Sequence, residues 1–181
     1  FLKYEGQIDP KYTGGLNTTL RWKSLSMNLF FTFQAGNVIR LNPVFSSSYS
    51  DITALPNEFK DRWIMSGDEQ RTDIPAIADN LMQKLYLSSA YPYNNYNYSS
   101  ARVAKGDFIR LKSLSINYEL PSALVRKSRV FKRAAVRLTA KDLWLMYSDK
   151  ALNGQDPEFF NTGGVAMPVQ TQFVLSLDLG F

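Results

Sequence analysis

Large apolar and small polar side chains alternate along the longest runs of the chain. Leu25, Met27, Leu29, Phe31 and Phe33 share one parity, and Ser26, Asn28 and Thr32 the other, with Phe30 the exception. Just upstream, Leu16, Leu20 and Trp22 line up with Thr18, opposite Asn17, Thr19 and Arg21. A period of two predicts strands with one apolar and one polar face, and the very short connection at 23–24 predicts a hairpin. Further on, Leu114, Ile116, Tyr118 and Leu120 alternate with Ser113, Ser115, Asn117 and Glu119, until Pro121 ends the run. Earlier in that run the parity reverses: Ile109 and Leu111 take the odd positions while Arg110 and Lys112 take the even ones. A bulge, or the strand's exit from an apolar slab, would produce such a reversal. Val136, Leu138 and Ala140 then alternate with Arg137, Thr139 and Lys141. The closing run places Phe173, Leu175, Leu177, Leu179 and Phe181 against Gln172, Ser176, Asp178 and Gly180, with Val174 the exception. Strands are therefore predicted near 14–22, 25–35, 108–120, 134–146 and 170–181.

An alternating face can cover a protein core, as in a soluble β-sandwich, or meet lipid. Three features favour lipid. The runs are about 9 to 11 residues long, which suits a tilted membrane strand better than a soluble strand of about 5 or 6. The connections alternate short and long, at about 2, 70, 14 and 22 residues, as in outer-membrane barrels with short periplasmic turns and long outer loops. Aromatic residues stand near the ends of the apolar faces at Trp22, Tyr118 and Phe181, as in an interfacial girdle. With Phe181 at the periplasmic end, both short turns (23–24 and 121–133) fall on that side, and the loops 36–107 and 147–169 fall outside. The fold class expected is all-β, an antiparallel transmembrane β-barrel. Five strands cannot close a barrel, and open edges leave unpaired N–H and C=O groups in hydrocarbon, so the sheet is expected to pair with further strands.

Composition narrows the chemistry. Histidine and cysteine are both absent. A Ser-His-Asp triad, a thiol nucleophile, a disulfide and an ordinary zinc site are thereby excluded, and neither an enzyme nor a cofactor is expected. The net charge is +5, with its sharpest cluster at Arg126, Lys127, Arg129, Lys132 and Arg133. No nucleic-acid-binding pattern accompanies that cluster. On a periplasmic rim it would instead meet anionic phospholipid head groups. No run has the roughly 18 to 20 apolar residues of a membrane helix. The first residues, "FLKYEGQIDPKY", hold no initiating Met and no leader, so the chain is expected to be an internal piece or a C-terminal fragment.

Several segments resemble SusC/RagA-type TonB-dependent transporters. "DPKYTGGLNTTLRWKSLSMNLFFTFQAGNVI" is similar to the family's N-P-x-Y/F-x-G-G hairpin, which leads into an aromatic strand ending in G-N. "DRWIMSGDEQRTDIP" resembles R-W-x-x-P-G-D-x-T-x-x-P, with Ser66 where Pro is common. "GDFIRLKSLSINYELP" resembles D-F-x-R-L-K-N-x-x-L-x-Y-x-L-P, with Ser113 for the usual Asn. "VRLTAKDLWLM" followed by "GQDPEF" resembles the N-L-W strand and G-x-D-P-E loop, with Asp142 for Asn. The terminal strand ending in Phe181 also fits. The resemblance implies the last five strands of a barrel of about 22 strands with a plugged lumen. It also implies an outer-membrane location in Bacteroidetes-type bacteria and uptake of glycans or peptides. The partners implied are a SusD-like surface lipoprotein as lid and TonB as energy source, with the plug and the TonB-contacting segment N-terminal to this chain. Siderophore or cobalamin receptors of the same superfamily, and a soluble all-β carbohydrate-binding module, are the alternative readings.

Candidate residues follow from these readings. Phe173, Leu175, Leu177, Leu179 and Phe181 would form the strand by which outer-membrane assembly recognises its clients. Trp22 and Tyr118 would sit in the interfacial girdle. Trp63, Tyr91, Tyr93, Tyr96 and Tyr98 are the loop aromatics able to stack on a sugar or touch a lid; the ordinary reading is loop packing. Asp68, Glu69 and Asp73, or Asp149, Asp156 and Glu158, offer oxygens to calcium without EF-hand spacing, so no metal site is assigned. The same carboxylates give no convincing pair for glycoside hydrolysis.

Overall fold

In a computed structural model, residues 2–46, 55–87, 92–127, 130–160 and 170–181 are described, apart from the side chains of Asn80, Gln83 and Tyr86. The chain forms two compact units, one of residues 6–39 and 105–181 and one of residues 1–5 and 40–104. The first unit is a five-stranded antiparallel sheet. Its strands are β1 (Tyr12–Trp22), β2 (Leu25–Ala35), β5 (Phe108–Glu119), β6 (Arg133–Ser148) and β7 (Gln172–Gly180), in the order β1-β2-β5-β6-β7. The short strands β3 (Val38–Arg40) and β4 (Val103–Lys105) lie where the chain passes between the units. The expected run 14–22 starts two residues earlier, because Tyr12 and Thr13 pair with Ala35 and Gln34. The fourth strand runs on through Tyr147 and Ser148, which pair with Ile109 and Phe108. Among the described residues no helix is long and apolar enough to cross a membrane.

The register aligns the apolar positions into rows across all five strands. Leu20, Met27, Ile116, Leu138 and Leu175 form one row, and Trp22, Leu25, Tyr118, Val136 and Leu177 the next. Most of this face has no protein over it; Leu175, for example, is 73% exposed. The parity reversal in β5 is a bulge. Phe30 pairs with Ser113 and Phe31 with Leu111, so Lys112 is skipped. On the other side, Lys141 pairs with Ser113 and Trp144 with Leu111, which leaves Asp142 and Leu143 out of register. Asp142 adopts φ 51°, a left-handed conformation that Asp and Asn tolerate best, which accounts for a short polar residue there. The bulge returns Ile109 and Leu111 to the apolar face and turns Arg110 to the polar one.

Close approaches fix the open end of the hairpin, where β1 begins and β2 stops. A Cβ at Gly14 would lie 2.7 Å from the Phe33 ring, and one at Gly15 would lie 2.9 Å from the Phe30 ring. The consecutive glycines thus leave a pit on each face of β1, and an aromatic ring from β2 fills each. At the far end of β2, Gly36 N–H donates to Asp107 Oδ1 (2.7 Å) and Gly106 N–H donates to the Asn37 carbonyl (2.9 Å). The G-N and G-D-F segments, distant in sequence, clasp each other there.

The second unit is mostly loop, with a 3-10 turn at Asn57–Asp61 and brief helices α1 (Asn80–Met82) and α2 (Pro92–Asn97). Its core is Val44, Phe45, Phe59 and Ile74. Asn97, buried, accepts from the N–H groups of Val44 and Phe45 and donates to the Phe45 carbonyl, which fixes the backbone around that core.

Candidate functional site

The polar face of the sheet is a hydrogen-bonded surface. Asn28 Nδ2 donates to Asn17 Oδ1 (2.8 Å) and Thr19 Oγ1 (2.9 Å), and the Ser115 and Thr139 hydroxyls lie 3.0 Å apart. Near the tight-turn end this face encloses a hollow of about 470 Å³, lined by Thr19, Arg21, Asn28, Asn117, Glu119 and Arg137 among others. Such a wall offers hydrogen-bond donors and acceptors to polar groups and water.

Toward the other end the polar face carries an ion network. Arg110, its side chain only 5% exposed, pairs with Asp156 and lies 3.3 Å from Glu158. Lys112 reaches Asp142 at 2.8 Å and Glu158 at 3.8 Å. The G-Q-D-P-E loop is thereby strapped to β5 at its bulge. Removing one partner of a buried pair would leave an uncompensated charge, so the network fixes the loop's position.

The loop carboxylates considered for calcium are engaged locally. Asp149 accepts from the N–H groups of Ala151 and Lys105, and these bonds hold its carboxyl below the usual aspartate range. Asp68 accepts from the N–H groups of Met65 and Ile64, with the same effect. Among the described residues, no three acidic side chains gather as metal ligands would.

The candidate aromatics separate. Tyr93 stacks on Phe45 with ring centroids 4.7 Å apart, and its hydroxyl accepts from Ala78 N–H and donates to the Ala76 carbonyl. Tyr96 meets Phe45 edge-on at 5.7 Å, and burial pushes its hydroxyl up from the usual range. Trp63 ties its loop together, with Nε1 donating to the Thr72 carbonyl and its backbone N–H to Ile74. Tyr98 is largely exposed, with the Arg40 guanidinium 5.8 Å from its ring. Tyr91 lies outside the described residues, as does Arg129 of the basic turn. On the sheet, Trp22 and Tyr118 stand in one row and Phe181 packs on Phe131 with ring centroids at 5.2 Å. At the opposite end Phe33, Trp144 and Tyr147 are exposed on the same face. Trp144 and Tyr147 escaped sequence reasoning because their face depends on the β6 irregularities at 142–143 and 146.

No family model matches the chain. It is 29% identical over 156 residues to TonB-dependent receptor P3 of Formosa agariphila, covering 86% of this chain and 14% of that receptor. It superposes on the RagAB peptide importer in the open-open state (TM-score 0.65) and in the closed-closed state (TM-score 0.67). Each structure is 24% identical and matched over 99% of this chain, while the chain spans 18% of the solved one. These likenesses, with the two-faced sheet and its aromatic ends, resolve the choice between a soluble sandwich and a barrel. The chain is similar to a segment of a TonB-dependent receptor, and its sheet has the fold of a stretch of the β-barrel wall of the RagAB importer.

Proposed function

We propose that the chain forms the wall and outer loops of an outer-membrane importer that takes up glycans or peptides with energy from TonB and a SusD-like lipoprotein as lid. The observation that carries this reading is the sheet itself. One face is a continuous exposed apolar row suited to lipid, and the other is a hydrogen-bonded polar wall suited to a wet lumen. Its orientation follows: the tight-turn end, with Trp22 and Tyr118, faces the periplasm, and the loops 36–107 and 147–169 face outward. The protein works as a conduit and not as a catalyst.

The test is uptake by cells carrying the intact receptor, using labelled oligopeptides and oligosaccharides separately, with and without TonB. TonB-dependent uptake of either class, together with co-purification of a surface lipoprotein, is the expected result. Uptake of iron chelates or cobalamin alone would replace this reading with a siderophore-type receptor.

A further inference from the structure

The tight-turn end of the sheet carries cations without acidic partners. Lys23, in the β1–β2 turn, stands 5.4 Å from the Trp22 ring. The β5–β6 connection contains α3 (Ser122–Lys127), with Arg126 and Lys127 in its last turn, followed by Lys132. Among the described residues, none of these four side chains makes an ion pair, whereas Arg110 and Lys112 at the other end are both paired. All four are exposed. Apolar side chains stand exposed among them: Leu124 and Val130 in the same connection, Phe181 beside Phe131, and the Trp22–Tyr118 row continuous with the lipid-facing surface. Cations interleaved with exposed aliphatic and aromatic groups at the edge of a lipid-facing wall match the layered chemistry of a bilayer interface, where aromatic rings lie at head-group depth and Lys or Arg meets phosphate.

We propose that this rim, through Lys23, Arg126, Lys127 and Lys132, binds the phosphates of anionic phospholipid head groups, so that the barrel selects anionic lipid on that side. The inference rests on the membrane orientation of the sheet and is independent of what the importer carries. A hydrated phosphate ion would use the cations but has no need of Leu124, Val130 or Phe181, which is why a lipid is the occupant assigned.

The experiment reconstitutes the intact receptor in nanodiscs containing equal phosphatidylglycerol and phosphatidylcholine, and measures by native mass spectrometry which lipid remains bound after detergent extraction. Wild type is expected to retain phosphatidylglycerol preferentially, and less so at high salt. Each cation replaced (Lys23→Gln, Arg126→Gln, Lys127→Gln, Lys132→Gln) is expected to lower that preference about five-fold. Lys112→Gln, at the opposite end, is expected to leave it unchanged. Should a variant carrying all four changes fail to fold, Arg126→Gln and Lys127→Gln, on the exposed last turn of α3, provide the reading alone. The proposal is overturned if wild type shows no preference, if neutralised variants keep it, or if inorganic phosphate at the lipid's concentration displaces the bound lipid completely. Loss of substrate uptake with lipid preference intact would count against the proposed function and leave this inference standing.

Discussion

Leu175 and Val174 are adjacent in β7 and point to opposite faces, so arginine at each position separates the lipid face from the polar one. β7 spans the nine residues Gln172–Gly180. Eight steps of about 3.4 Å, tilted by about 40°, carry it about 21 Å along the membrane normal, with Ser176 at the middle. Leu175 pairs with Leu138 and lies one residue from that middle, within about 3 Å of the midplane by the same rise. Arginine there costs about 2–4 kcal/mol, or roughly 30- to 700-fold in the folding equilibrium. Val174 pairs with Thr139 on the polar face, and Val174→Arg is expected to cost less than about 1 kcal/mol, as surface changes do. Leu179→Arg, near the strand's end, should cost about 0–1 kcal/mol, because the penalty falls toward the interface. The assay is denaturant titration of the intact receptor folding into phospholipid vesicles, read by heat-modifiable gel mobility. Equal effects at 174 and 175, or a larger penalty at 179 than at 175, would refute the assignment of faces and depth.

Three other perturbations test the clasp, the strap and the loops. Gly106→Ala places a Cβ 2.2 Å from Asn37 Nδ2, and Asn37 is only 5% exposed. A loss of about 1–3 kcal/mol is expected, with partial rescue by Asn37→Ala, and an unchanged denaturation midpoint for the single variant would contradict the clasp. Arg110→Met strands the Asp156 carboxylate, whose side chain is only 9% exposed, at about 3–5 kcal/mol if it stays buried. Release of the loop is the alternative outcome, seen as faster proteolysis within 149–160, and a variant showing neither effect would argue against the strap. Because Asp149 is held below the ordinary aspartate value of 3.8, its contribution is present above that value and is lost as pH falls through the lower folded one. Amide exchange at Ala151 and Lys105 should accelerate in that acid window in wild type, and show no such step in Asp149→Asn.

The strands were legible because period-two alternation is a local property written into each run, and a lipid face requires it without interruption. Leu25 through Phe33 needs no partner to be read. What stayed hidden depends on neighbouring strands. The sequence around Ile109 and Lys112 shows that parity breaks, but only the pairing of Phe31 with Leu111 locates the skipped residue. Trp144 and Tyr147 reach the apolar face through irregularities that no alternation announces. The Arg110–Asp156 pair joins residues 46 apart in sequence, a closure that spacing cannot reveal. In the loops, Tyr93 and Trp63 admit two readings, with packing the ordinary one, because tyrosine and tryptophan serve packing and recognition equally well. Their hydroxyl and indole hydrogen bonds to Ala76, Ala78 and Thr72 became visible only in three dimensions.

The glycine pits at Gly14 and Gly15 bear on how the wall is aligned as it forms. An alternating strand penalises a slip of one residue, which would turn every apolar side chain to the wrong face. A slip of two preserves the faces and escapes that check. Here it would push Phe33 from above Gly14 onto Tyr12 or Leu16, where no pit receives the ring. The hairpin therefore carries its own alignment key. Its register is specified by its own two strands, without help from β5.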